Sequence, residues 1–254
     1  MTQRALVRRP GPRLPEGLVT HLDRTEVDVD LAVTQWQSYV DAMAAAGWTC
    51  VEVPPADDCP DAVFVEDTMV VYRDVAVIAR AGAEPRRAEA VDAEKAVAAQ
   101  GYRIEHIVEP GTLDGGDVLK VGSTIYVGLG GRTNQAGVDQ LRAAFEPLGA
   151  KVIGVPVTKV LHLKSAVTAL PDGTVIGYPP LVDDPSAFES FLAVPEEAGA
   201  HVVLLGDNRL LMASSAPATA ELLAAKGYQP VVVDISEFEK LEGCVTCLSV
   251  RLRE

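Results

Sequence analysis

Apolar and polar positions follow a repeated order along this chain: two short apolar runs, a helical stretch and a further apolar run. Runs rich in Val, Ile and Tyr predict short strands, and longer segments with apolar residues three and four positions apart predict helices. The first complete unit comprises VFVED, MVVY and VAVIAR, a helix over 84–100 and the strand YRIEHIV. This order predicts a ββαβ-type unit as the building block of the fold.

Three further units follow the same order. The second contains GDVLKV, STIYVGLG, a helix over 134–148 and KVIGVPV. The third contains SAVTALPDGTVIGY, in which Pro-Asp-Gly predicts a hairpin turn, and a short helix near Phe188. The fourth contains VVLLGDNRLLMA, turned at Gly-Asp-Asn, a helix over 217–226 and QPVVVD.

The two ends of the chain complete a fifth unit. TCLSVRL at the C-terminus joins RALVRR at the N-terminus, a helix over 31–46 and the strand WTCVEV. A closed ring leaves no unpaired sheet edge. We therefore expect residues 1–254 to form a single α/β domain, a five-bladed α/β propeller closed by the N- and C-terminal strands. The alternative, a doubly wound parallel sheet, is less consistent with these hairpins.

Composition narrows the choice of partners. The formal net charge is −14 and the pI is ≈ 4.7, which argues against nucleic acid or an anionic membrane, because phosphate binding needs clustered Lys and Arg. The sequence shows neither a secretory signal nor an apolar run of membrane-spanning length. We therefore expect a cytoplasmic protein whose cysteines Cys50, Cys59, Cys244 and Cys247 are free thiols.

Polar residues at the ends of apolar runs are the candidate site residues. VFVED carries Glu66 and Asp67, and LDGGD carries Asp114 and Asp117 around two glycines that let the backbone approach a neighbour closely. Asp67 and Asp114 could hold a planar cation, whereas Asp117 is typical of a turn former. Arg86 and Arg132 follow second strands of two units and could bind a carboxylate, or could be solvated surface residues.

A histidine and a cysteine complete the candidate chemistry. His162, in VLHLK, is either a core residue on an apolar strand or an acid–base catalyst near neutral pH. Cys247 ends the sequence C-V-T-C, whose spacing also fits a redox dithiol or half of a zinc site. A second Cys/His pair with zinc-ligand spacing is missing, and VTCLSVRL resembles a strand rather than the start of a redox-active helix.

These motifs together resemble a known family. VFVED, GTLDGGDVL, the YVGL and GRTNQAG segments, VLHLKS and the terminal TCLSVRL are similar, in order and spacing, to the dimethylarginine dimethylaminohydrolases. The resemblance spans the chain and implies the five-bladed α/β propeller of the guanidine-modifying superfamily. It also implies hydrolysis of Nω-methylated arginine to citrulline and a methylamine, with no required cofactor or metal.

The resemblance also implies residue roles. Cys247 is expected to be the nucleophile, His162 the general acid and base, and Asp114 the residue that orients His162. The substrate-binding residues would be Leu18, Asp61, Glu66, Asp67, Arg86, Arg132 and Leu241. Among these, Asp67 would bind the guanidinium, with Glu66 beside it, while Arg86 and Arg132 would bind the α-carboxylate. Asp61 and the Leu18 carbonyl would bind the α-amine, and Leu241 would contribute backbone. Cys244 lies outside the family pattern.

The expected chemistry is attack of a cysteine thiolate on the guanidinium carbon. A pocket rich in carboxylates should not lower the pKa of the free thiol, so the cationic substrate or protonated His162 would help to form the thiolate. Arginine deiminase activity and a non-catalytic amino-acid-binding propeller are the alternative functions, and a zinc or redox role for Cys244 and Cys247 is a third. The chain is expected to act as a monomer or homodimer.

Overall fold

Fifteen short strands form five separate three-stranded sheets in the part of the chain that the structure, a computed structural model, describes, residues 3–252. Each sheet has one antiparallel and one parallel strand pair. In order from inner to outer strand, the sheets are β15 (Val250–Leu252), β1 (Arg4–Val7) and β2 (Thr49–Glu52); β3 (Met69–Tyr72), β4 (Val75–Ile78) and β5 (Arg103–His106); β6 (Val118–Val121), β7 (Thr124–Leu129) and β8 (Lys151–Pro156); β9 (Val167–Ala169), β10 (Val175–Gly177) and β11 (Phe191–Ala193); and β12 (Val203–Gly206), β13 (Arg209–Ala213) and β14 (Gln229–Val233).

Helices connect the second and third strands of most sheets. The α-helices are α1 (Val29–Ala45), α2 (Ala90–Ala98), α3 (Gln135–Phe145), α4 (Leu163–Ala166), α5 (Pro217–Ala225) and α6 (Ser236–Glu239). The segment predicted as helix over 84–100 begins as a 3-10 helix, Glu84–Glu89, with proline at its start. Near Phe188 there is only the 3-10 turn Pro185–Ala187. None of the described helices is long and apolar enough to cross a membrane.

The predicted ring closure is confirmed. The C-terminal strand β15 pairs antiparallel with β1, with Ala5 opposite Arg251, and β1 pairs parallel with β2. The other sheets repeat this order of an antiparallel hairpin followed by a parallel crossover, for example β3–β4–β5. The hairpin turns at 171–173 and 206–208 are also as predicted, with Gly173 and Asn208 in the left-handed region. The fold is therefore a five-bladed α/β propeller.

Four short turns lie next to the inner strands, and three of them, in VFVED, VLHLK and VTCL, were predicted as strands. In each one the N–H of the fourth residue donates to the carbonyl of the first: Asp67 to Phe64 at 3.2 Å, Asp117 to Asp114 at 3.0 Å, Ser165 to His162 at 3.0 Å and Cys247 to Cys244 at 3.0 Å. Each turn directly precedes or lies close to the inner strand of its blade. The prediction that VFVED, VLHLK and VTCL are strands is wrong because these local backbone hydrogen bonds replace sheet pairing.

The repeated turns determine where the polar side chains meet. Inner strands of different blades face the same channel, so the turns that precede them gather at one end of it. Glu66 N–H donates to the carbonyl of Cys247 at 3.2 Å, which joins the turn before β3 to the turn before β15. Residues far apart in the sequence are thus neighbours.

An apolar cluster fixes the turn that carries Cys247. Cys244 and Cys247 are buried together with Trp36 and Tyr39 of α1 and Phe238 of α6. The Tyr39 hydroxyl and the Ser249 hydroxyl are hydrogen-bonded at 2.7 Å in the same interior. Helix packing and a buried polar contact therefore hold this turn in place.

Candidate active site

One narrow cavity collects most of the residues singled out in the sequence. In this conformation the space open to the centre of a water molecule is ≈ 20 Å³. Its lining residues are Leu18, Asp61, Phe64, Asp67, Arg86, Arg132, Leu161, His162, Leu241, Glu242, Gly243 and Cys247. The cysteine, the histidine and an acid predicted to bind a guanidinium therefore share one cavity.

His162 lies at the start of α4, where its side chain is 4% exposed. Its Nε2 is 3.0 Å from Asp114 Oδ2, and its Nδ1 is 3.9 Å from Asp67 Oδ1. Burial lowers the pKa of His162, but the carboxylates of Asp67, Asp114 and Asp117 outweigh burial and raise this pKa to about 9. In the ligand-free protein His162 is an imidazolium at neutral pH.

Asp114 is fully buried, and both of its carboxylate oxygens have partners. Oδ1 accepts the N–H of Gly82 at 2.9 Å, and Oδ2 contacts the imidazole of His162. The hydrogen bond from Gly82 fixes the carboxylate and thereby the plane of the histidine ring. This geometry supports the predicted orienting role of Asp114.

Asp117 was predicted only as a turn former, but its side chain also connects two segments of the structure. Its Oδ1 accepts the N–H of Leu163 at 2.9 Å, and its Oδ2 accepts the hydroxyl of Thr133 at 2.6 Å. Burial raises the pKa of Asp117 to about 6. Asp117 therefore attaches the His162 turn to the neighbouring blade.

The two glycines of LDGGD allow these turns to touch, as predicted. A Cβ at Gly115 would lie 2.0 Å from the Glu66 carbonyl oxygen. A Cβ at Gly116 would lie 2.6 Å from both Asp67 Oδ1 and His162 Nδ1. The N–H of Gly116 instead donates to Asp67 Oδ1 at 2.8 Å. Any larger side chain at Gly116 would push Asp67 and His162 apart.

Arg86 is buried in ion pairs of its own. Its Nη1 donates to Asp67 Oδ2 at 2.8 Å, and its Nη2 donates to Glu89 Oε2 at 2.8 Å. Burial raises the pKa of Asp67, but His162 and Arg86 outweigh it and lower this pKa to about 2. Asp67 is therefore a carboxylate at neutral pH. Arg86 neutralises part of the acidic cluster, and its predicted contact with a substrate carboxylate stays a prediction.

Arg132 is better placed to receive an anion. Its side chain is 11% exposed, and its Nη1 lies 3.6 Å from Asp114 Oδ2 without a hydrogen bond. Among residues 3–252 this buried nitrogen has no hydrogen-bond partner. A buried donor of this kind is costly unless something binds it.

The opposite wall contains Asp61 and the segment 18–22. The N–H of Leu18 donates to both oxygens of Asp61 at 3.1 Å. Burial raises the pKa of Asp61. The carboxylate of Glu242 accepts the N–H groups of Thr20, His21 and Leu22. Glu242, next to the predicted pocket residue Leu241, thus fastens this segment over the cavity.

The side chain of Glu66 does not line the candidate active-site cavity. Its Oε1 pairs with Lys164 and with Arg251, each at 2.6 Å. This ion cluster lines a different cavity of ≈ 310 Å³, which is also lined by Thr246. The side chain of Glu66 therefore turns away from Asp67, and the expected contact of that side chain with substrate does not follow from the geometry.

The Cys247 thiol has an unexpected partner. Its Sγ lies 3.3 Å from Cys244 Sγ, and it also accepts the N–H of Cys244 at 3.4 Å. The hydrogen bond with Cys244, burial, and the carboxylates of Glu66 and Asp67 all raise the pKa of Cys247 well above its ordinary value. This direction agrees with the expectation that an acidic pocket does not favour a free thiolate.

Related proteins match this chain along its whole length. A dimethylarginine dimethylaminohydrolase of Streptomyces coelicolor is 71% identical over 253 residues, which cover 100% of this chain and 98% of that protein. The chain belongs to the dimethylarginine dimethylaminohydrolase family. The predicted family, hydrolase class and propeller fold are confirmed.

Solved structures of dimethylarginine dimethylaminohydrolases match both fold and length. A Cys-to-Ser variant from Pseudomonas aeruginosa, in complex with citrulline, has a TM-score of 0.92 at 32% identity and covers 99% of this chain and 100% of that chain. A His-to-Gly variant, as an adduct with S-methyl-L-thiocitrulline, has a TM-score of 0.91 at 32% identity, with the same coverage of both chains.

A family model described as RNA-editing substrate-binding complex 5 protein matches residues 3–180, so the chain also belongs to the group that this model describes. The matched part contains Asp67, Asp114 and His162 but ends before Cys247. The model therefore covers the blades that carry Asp67, Asp114 and His162, but not the blade that carries Cys247.

Sequence reasoning missed several supporting residues. Glu89 follows Arg86 by three positions, a spacing that indicates a helical ion pair. Thr133 and Glu242 act through long-range contacts with Asp117 and the 20–22 backbone, and nothing in their local sequence indicates these partners. In the described residues, no group of three or more His, Cys, Asp or Glu is arranged to hold a metal ion.

We predict that the substitution Gly116→Ala disrupts the candidate active site of this protein. The added Cβ would clash with Asp67 and His162, so we expect a loss of about 1–3 kcal/mol in the free energy of unfolding and a fall in kcat of about 100-fold from misplacement of the base. Urea unfolding and citrulline formation measure the two effects.

Gly131→Ala is the matched control, because its added Cβ meets no heavy atom of the described residues within 4 Å apart from its own chain neighbours. Its stability and kcat should stay close to those of the wild type. Equal effects of the two substitutions would contradict the argument that Gly116 is needed for close approach.

Proposed function

We propose that this protein hydrolyses Nω-methylated arginines, dimethylarginine and monomethylarginine, to citrulline and a methylamine through a covalent intermediate on Cys247. The observation that carries the proposal is a buried cysteine that shares one cavity with a buried His162–Asp114 pair and the carboxylate of Asp67. Nucleophile, acid–base catalyst and cation ligand are then within reach of one flat guanidinium.

The charges of the cavity support one orientation of the substrate. Asp67, ionised and next to His162, would hold the guanidinium at the reacting end. Arg132, whose buried Nη1 lacks a hydrogen-bond partner among residues 3–252, would take the α-carboxylate together with Arg86. Asp61 and the Leu18 carbonyl would bind the α-amine, with the backbone at Leu241 completing the wall.

The resting protonation states suit a substrate-assisted mechanism. His162 is cationic and Cys247 is a thiol in the ligand-free site. A bound guanidinium adds positive charge beside the sulfur and favours the thiolate, which forms as the thiol proton passes to solvent. The sulfur then forms a bond with the guanidinium carbon. His162 protonates the leaving amine, whose bond to that carbon breaks.

The second half of the reaction reverses the role of His162. The product of the first half is a thiouronium that joins the substrate carbon to Cys247. His162, now neutral, takes a proton from water, which attacks the same carbon. The carbon–sulfur bond breaks and citrulline leaves with the regenerated thiol. Asp114 keeps the imidazole in one orientation through both halves.

We also propose that the chain acts as one domain. The cavity takes side chains from the turns before β3, β9 and β15 and from loops of the second and third blades. β1 and β15, from opposite ends of the chain, pair to close the ring. A cut between blades would therefore remove part of the site as well as part of the fold.

Cys247→Ala should abolish turnover while leaving substrate binding measurable. The thiolate is the nucleophile in this mechanism, and alanine offers no replacement. Citrulline formation from dimethylarginine, monomethylarginine and arginine measures turnover, and calorimetry measures binding. Cys59→Ala, at a half-buried thiol outside the cavity, is the matched control. Residual activity within about tenfold of the wild type would exclude covalent catalysis at this sulfur.

Arg132→Ala should raise KM for methylarginine more than it lowers kcat. Loss of a buried charge-assisted contact to the carboxylate costs about 1.5–3 kcal/mol, or about 10- to 150-fold in binding. A methylated guanidine without the carboxylate should lose nothing from the same substitution. Equal losses for both compounds would contradict a carboxylate-binding role.

The pH dependence of turnover should reveal the loss of the proton from His162. Because its folded pKa is raised to about 9, the imidazolium persists through neutral pH and is lost above about pH 9. We expect kcat, which reports the substrate-bound protein, to rise with pH as the thiolate forms and to fall as His162 loses its proton. Asp114→Asn removes a carboxylate that raises this pKa, so the falling limb should move to lower pH. Glu221→Gln, on the exposed side of α5, is the charge-matched control. If the falling limb of the pH profile does not move in Asp114→Asn, its assignment to His162 is contradicted.

A further inference from the structure

Cys244 is a buried nucleophilic group that the proposed mechanism does not use. Its Sγ lies 3.3 Å from Cys247 Sγ, and the two side chains belong to residues only 4% and 7% exposed. The Thr246 hydroxyl is 3.2 Å from the Cys244 sulfur. The two sulfurs are therefore in direct contact inside the protein.

The backbone between the two cysteines suits a disulfide. Cys247 N–H donates to the Cys244 carbonyl at 3.0 Å, which defines a tight four-residue turn. Such turns keep the end Cα atoms within about 7 Å, and disulfides span Cα separations of about 4.4–6.8 Å. The sulfurs need only approach from 3.3 Å to the bond length of about 2.05 Å.

Cys244 also has a cavity of its own. A space of ≈ 460 Å³ is lined by Cys244 together with Lys159, Ser165, His201 and Glu242, and Cys247 does not line it. Cys247 instead lines the narrow cavity of the candidate active site. A small oxidant can therefore reach one sulfur without passing through the substrate cavity.

The charge state favours reaction at Cys244 first. The hydrogen bond from the Cys247 thiol lowers the pKa of Cys244 to about 5, against the opposing effect of burial. The thiolate is the form that reacts with peroxides.

We propose that Cys244 and Cys247 form an oxidation site at which a hydroperoxide closes a reversible disulfide and withdraws the nucleophile from catalysis. The Cys244 thiolate attacks a peroxide oxygen, the O–O bond breaks, and a sulfenic acid and a hydroxide result. Cys247 then attacks that sulfur, expels the second oxygen as water, and forms the S–S bond. With hydrogen peroxide, two thiols are oxidised and two waters form.

The pair would protect the active sulfur. A sulfenic acid with no thiol partner is oxidised further to sulfinic acid, which ordinary thiols do not reduce. A disulfide is returned to two thiols by dithiothreitol. Disulfide formation does not depend on the proposed hydrolase activity; only its inhibitory effect does.

The experiment treats the 254-residue chain with hydrogen peroxide and compares the wild type with Cys244→Ala. For the wild type we expect loss of two titratable thiols, a peptide in which Cys244 and Cys247 are cross-linked, and loss of citrulline formation. Dithiothreitol should restore both thiols and activity. Cys244→Ala removes a contact that raises the pKa of Cys247, so its activity is compared with that of its own untreated sample; under peroxide this activity should be lost irreversibly, with sulfinic acid at Cys247.

Cys59→Ala is the matched control and should behave like the wild type. If the wild type is oxidised without a Cys244–Cys247 cross-link, the proposal is overturned whether or not the protein is a hydrolase. It is equally overturned if dithiothreitol rescues Cys244→Ala as fully as the wild type. Thiol titration and peptide mass need no catalytic activity, so failure of the proposed function would be seen separately.

Discussion

The charge interaction between the His162 imidazolium and three buried carboxylates is the interaction on which this site depends. Asp67, Asp114 and Asp117 come from turns of two blades, and each would be costly to bury as a lone charge. His162 and Arg86 supply the compensating positive charge. Since each acid also accepts at least one backbone N–H, the cluster fixes the relative positions of neighbouring blades as well as the protonation state of the base.

Much of this arrangement was predictable because it follows from periodicity and from motif order. Paired apolar runs followed by helices predicted the ββαβ units, and the lone strands at the two ends predicted ring closure. The double glycine in LDGGD correctly indicated a close backbone contact, because Gly115 and Gly116 lie against Glu66, Asp67 and His162. Local patterns of this kind identify which residues meet, although not which atoms.

Other features were not predictable from local sequence. VFVED and VLHLK are apolar enough to resemble strands, yet i to i+3 hydrogen bonds at Asp67 and Ser165 make them turns. Glu66 and Asp67 are adjacent, but in such a turn their side chains diverge, so one lies in the ion cluster with Lys164 and the other lines the active-site cavity. The long-range partners of Asp117 and Glu242 depend on the closed ring and have no local signature.

The same acidic surroundings that would hold a cationic substrate keep the Cys247 thiol protonated without one. Glu66, Asp67 and the Cys244 contact all raise the pKa of Cys247. A guanidinium about 4 Å from the sulfur contributes about 4 kcal/mol of attraction to a thiolate at an effective dielectric constant of about 20. A tenfold change in the thiolate fraction requires only about 1.4 kcal/mol. In the proposed mechanism, substrate charge can therefore activate Cys247, whereas between turnovers the sulfur with the lowered pKa is Cys244.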